Sequence, residues 1–147
     1  MKNIFVIVAA LFATPALADY PTLDYVKDIK SIKVDLVDDA ENACWTNLSE
    51  TREYAEEKIR IAGGNVYVST GFSRRWKDDY DLRITVRSHR AGNDKCFGFI
   101  MVDLITTAQV NDMLHTASAR GGFTYFTNAP NANTLVIEAV QSFFQNK

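Results

Sequence analysis

Cys96-Phe-Gly-Phe-Ile-Met-Val-Asp-Leu-Ile-Thr106 is the longest apolar run after the N-terminal segment, and its reading decides the fold. Side chains alternate along a strand, so Ile100, Val102 and Leu104 point one way while Phe97, Phe99, Met101 and Ile105 point the other. A strand apolar on both faces belongs in the middle of a sheet, with something covering each side.

Its upstream neighbour, residues 80–88, has the cleanest alternation in the chain. Tyr80, Leu82, Ile84 and Val86 face inward, and Asp81, Arg83, Thr85 and Arg87 face water. The turn-rich segment 89–95 between the two runs predicts a hairpin. Residues 29–38 form a half-buried strand, with Ile32, Val34 and Leu36 set against Ser31, Lys33 and Asp35. Asp38, Asp39 and Glu41 then read as solvated acids of a turn.

A helix is predicted from Asn47 to about Ala62. Asn47 stands where a cap is needed, and Glu50 stands where a capping-box partner would be. Leu48, Thr51, Ala55, Ile59 and Ala62 line one stripe, and Gly63-Gly64 ends the helix. Residues 66–72 read as a short strand. Beyond the central run, Val110, Met113, Leu114 and Ala117 have helical spacing. Thr106, Thr107 and the Asn111-Asp112 pair favour instead an extended arm and a hairpin that returns through residues 123–127. A closing helix over 132–145 carries Leu135, Val136, Ala139, Val140, Phe143 and Phe144 as a broad apolar stripe. The order of elements predicts an α+β domain, a two-layer sandwich of an antiparallel or mixed sheet with two amphipathic helices.

Residues 1–18 read as a signal peptide rather than as part of that fold. Lys2 supplies the positive end, residues 4–12 a short apolar core, and Ala16-Leu17-Ala18 a small-x-small cleavage site. Cleavage leaves residues 19–147 as one exported domain that does not span a membrane. Their first ten residues, with Pro21 and no apolar period, read as an extended lead-in. Removal of Lys2 takes the net charge from −2 to −3, so no global field draws the domain to nucleic acid.

Two cysteines in an exported chain most simply form one disulfide, Cys44 to Cys96. Two buried thiols or an intermolecular bridge are the alternatives. Their spacing suits no zinc site, and neither His89 nor His115 has the partners of a metal site or a catalytic triad. No catalytic, cofactor-binding or metal-binding residue is therefore assigned. Arg74, Arg75 and Trp76 form the loop most open to a ligand, although Asp78, Asp79 and Asp81 balance its charge.

Two functional classes remain. The first is an exported, non-enzymatic binding or adaptor module whose partner is a protein or envelope component, with association with a second copy left open. The second is a small exported hydrolase or carbohydrate-binding domain built on Trp76, Asp78, Asp79 and Tyr80. The binding module is preferred. Its candidate partner surface is Phe97, Phe99 and Met101, which emerge opposite the helix-covered core unless residues 123–127 fold over them.

Overall fold

The computed structural model describes residues 23–67, 79–92, 94–111 and 113–145. Four strands, β1 (Ser31–Ala40), β2 (Asp79–Arg90), β3 (Cys96–Val110) and β4 (Met113–Ala129), form one sheet in that spatial order. Strand β1 runs parallel to β2, whereas β2, β3 and β4 are antiparallel neighbours. Helices α1 (Leu48–Ile61) and α2 (Asn133–Gln145) cover one side. The α+β two-layer expectation therefore holds, with a mixed sheet.

The register explains the core. Val34, Leu82 and Leu104 form one row across three strands, and Leu36, Ile84 and Val102 form the next. Against these rows α1 sets Thr51, Ala55 and Ile59, all buried, and α2 sets Val136, Val140 and Phe143. Both helical stripes thus meet the sheet at the spacing expected for an amphipathic helix. The Cys44–Cys96 disulfide joins the turn before α1 to the first residue of β3, with 5.9 Å between Cα atoms and both residues fully buried.

Several expectations are corrected. Residues 23–28 form a short 3-10 helix where an extended lead-in was expected. Its Val26 enters the core, which gives that turn a reason to close. Strand β1 runs on through Asp38 and Asp39, and the turn falls at Asn42 and Ala43, both with positive φ. Parallel pairing with β2 holds Asp39 in the strand, opposite Arg87. At the start of α1 the Asn47 side chain does not cap a backbone amide. Its Nδ2 donates instead to Glu50 Oε2 at 3.0 Å, so the two side chains satisfy each other.

Strand β3 outruns its apolar stretch to Val110, and β4 returns from a turn at Asn111. The helical spacing at 110–117 is thus overridden by pairing, the extended arm and hairpin being correct. Val66 makes a single parallel bridge to Ile32. The remainder of the expected strand over 66–72 lies outside the described residues, as do the expected signal peptide and the Arg74, Arg75, Trp76 loop.

Candidate functional site

Because β3 is apolar on both sides, the helix layer leaves half of its hydrophobic side chains facing away. One expectation was that each side would be covered. Among the described residues both helices lie on one side, and Phe97 on the other remains 44% exposed. Residues 123–127 do not fold over this strip. They lie beside it within β4, where Phe123 pairs with Met101 and Tyr125 with Phe99. Directly paired residues share a face, so β4 enlarges the apolar surface.

The result is an aromatic strip over two strands. Phe99 and Phe123 stack with centroids 5.1 Å apart, and Tyr125 meets Phe123 edge-on at 4.5 Å. Phe123 is 49% and Tyr125 76% exposed. At the other end the His89 ring lies 5.8 Å from Phe97, and the Arg87 guanidinium sits 5.9 Å over Phe99. Offset and edge-to-face ring contacts add modestly to the burial they accompany and hold the rings in fixed poses.

The polar flank is paired side chain to side chain. Arg83 meets Asp35 at 2.9 Å, Arg87 meets Asp39 at 3.0 Å, and His89 Nδ1 lies 2.8 Å from Glu41. Such exposed pairs add little stability, about 0–1 kcal/mol each. Their effect here is to leave a balanced rim beside an apolar strip. Asp81 and Thr85, expected in water, are buried on this face. The reason is their inner-strand position. Asp81 stands between Lys33 and Ile105, and Thr85 between Val37 and Met101, so longer neighbours shade both short side chains.

Asp103 is a further acid of this face, opposite Arg83. Burial pushes its carboxyl above the ordinary aspartate value, and Arg83 across the ladder opposes that rise. A carboxyl raised in the folded state favours folding while protonated, and that contribution is lost as pH climbs from about 4 through the folded value. Asp103→Asn should therefore raise stability at neutral pH by less than about 1 kcal/mol, the side chain being partly exposed. Urea midpoints of the two proteins should converge at acid pH. A variant less stable than the parent at neutral pH would show that the Arg83 attraction outweighs desolvation.

Sequence reasoning missed Arg90, which reads as a solvated turn residue. Its guanidinium donates to the carbonyls of Asn42 at 2.9 Å and Asp94 at 2.8 Å, with longer bonds to Ala43 and Pro130. It thereby ties three loops around the disulfide and holds the left-handed Asn42–Ala43 turn. It also missed Phe123 and Tyr125 as site members, since their placement depends on the β3–β4 register.

Of the carboxylate and aromatic set, Asp79 accepts the Ser31 hydroxyl at 2.5 Å, and Tyr80 packs on the core from the opposite side of the strand. These two do not converge. His115 is exposed on β4. Among the described residues, no group of three His, Cys, Asp or Glu is placed to hold a metal ion, and no helix is long and apolar enough to cross a membrane.

No protein-family model matches the chain, and no curated protein matches it. A solved structure described as a minor lipoprotein from Acinetobacter baumannii aligns at 10% identity over 79% of this chain and 91% of that one. Its TM-score is 0.30, too low to carry an argument. The buried Cys44–Cys96 bond points to an exported, non-cytoplasmic protein.

Proposed function

We propose that the chain is a non-enzymatic binding module, exported to the periplasm or beyond the cell, that docks a protein partner of the envelope on the open aromatic face of its sheet. The observation that carries this reading is the strip of Phe97, Phe99, Phe123 and Tyr125, apolar and open on the face that neither helix covers. Contiguous apolar surface beside a polar rim is the usual anatomy of a protein-binding patch, and aromatic residues supply most binding hot spots. The neighbouring ion pairs are satisfied internally, so a partner need bring no net charge.

The test is a pair of substitutions at the exposed end of β3. Phe97→Ser with Phe99→Ser should leave the circular dichroism spectrum and most of the thermal stability intact. It should reduce capture of the partner from envelope extract by at least ~10-fold, the scale of one or two lost hot spots. An unfolded double variant would make the strip part of the core. A folded variant that captures as well as the parent would remove the surface from the binding account.

A further inference from the structure

Resting on that reading of the open face, we propose that a second copy of this chain extends the sheet and its aromatic face, paired antiparallel along the outer edge of β4 about a two-fold axis through Phe123. Among the described residues nothing pairs with the outer edge of β4, a strand of 17 residues. Edge strands are ordinarily guarded by lysine, proline, inward charges or short length. Residues 121–129 read Gly-Gly-Phe-Thr-Tyr-Phe-Thr-Asn-Ala, with no charge and no proline, and the one charge beside them, Arg120, lies over the Phe143 ring on the helix side.

The edge carries its own register marks. The ladder with β3 is irregular between Leu104 and Ile105, and again between Cys96 and Gly98. Between those breaks, residues 120–126 run regularly, and their midpoint is Phe123. An axis there sets Phe123 opposite its own copy and places Tyr125 of each copy opposite Gly121 of the other. All three lie on the open face. A glycine without a side chain, faced by an aromatic ring from the adjoining strand, is a favourable cross-strand pair.

Asp103 completes the fit. Its Oδ1 stands in the space that a Gly121 Cβ would occupy. A Tyr125 ring from the second copy, lying across Gly121, reaches that carboxylate with its hydroxyl and donates a hydrogen bond. A foreign strand would satisfy this site once, whereas a copy of β4 satisfies it twice by symmetry. Closed two-fold pairing is the commonest form of protein self-association. Seven residues at ~3.4 Å each give a contact only roughly 24 Å long. A contact of that length and one strand wide buries less than the roughly 1,200 Å² of stable interfaces, so the dimer is reversible and concentration-dependent.

Sedimentation equilibrium of the exported chain up to millimolar concentration tests the proposal. A monomer–dimer equilibrium is expected, weakened at least ~10-fold by Tyr125→Lys and less strongly by Tyr125→Phe. Tyr125 is 76% exposed, so neither change threatens the fold. Mild oxidation of a Phe123→Cys variant should link two copies covalently, while Phe97→Cys, one strand inward, should not. A chain that stays monomeric, a dimer indifferent to Tyr125→Lys, or equal cross-linking at both positions would overturn it. If the chain is monomeric while Phe97→Ser with Phe99→Ser still abolishes partner capture, the second copy is excluded and the surface reading stands.

Discussion

Replacing Cys44 and Cys96 together by alanine is expected to lower the unfolding free energy by about 4 kcal/mol. The bond spans 52 residues, a segment that includes α1 and β2, so cutting it frees a long loop in the unfolded chain. Both residues are fully buried beside Trp45 and the start of α2, so the substitution also leaves a gap in the packing. Against a typical domain stability of about 5–15 kcal/mol, the loss is a large fraction. Urea titration measures it, and a change below about 1 kcal/mol would contradict the role assigned to the bond. The native protein should likewise show no thiol open to alkylation until it is reduced.

Gly98→Ala is expected to cost about 3 kcal/mol, the upper range for overpacking a filled core. A Cβ at Gly98 would overlap the carbonyl oxygen of Arg87 and lie 2.7 Å from the Cα of Ser88. Both are backbone atoms of β2, directly across the ladder, and no rotamer change relieves the contact. The strands would have to separate at the point where the disulfide enters β3. Gly92→Ala is the control, because open space surrounds that position and its effect should stay within about ±0.5 kcal/mol. Equal effects at the two glycines, read from urea midpoints, would show that the close approach of β2 and β3 is not what requires Gly98.

Much of this architecture was legible because period and polarity agreed. Leu82, Ile84 and Val86 alternate against polar and charged neighbours, and Ile100, Val102 and Leu104 keep the same period on the next strand. The stripes of α1 and α2 were equally clear, since their apolar residues recur every three or four positions. Legibility failed where pairing outweighed local preference. Asp38 and Asp39 look like turn residues, yet β2 supplies ladder partners and Arg87 for them. Val110, Met113, Leu114 and Ala117 have helical spacing, and the pairing of β3 with β4 makes them strand residues.

The aromatic site was half visible for the same reason. Phe97 and Phe99 stand on a strand whose inner face is unmistakable, so their outward direction follows from alternation alone. Phe123 and Tyr125 join them only through the antiparallel register of β4, which depends on the irregularity between Leu104 and Ile105 that no local pattern announces. Arg90 was invisible because all but one of its partners are backbone carbonyls of segments distant in sequence.

The most direct measurement of the central claim is hydroxyl-radical footprinting of the chain, free and bound to its captured partner. Phe97, Phe99, Phe123 and Tyr125 should lose reactivity together on binding, while Ile61 and Phe144 near the ends of the two helices should not change. Protection of the helix side with the four aromatic residues still reactive would contradict the assignment of the open face as the binding surface.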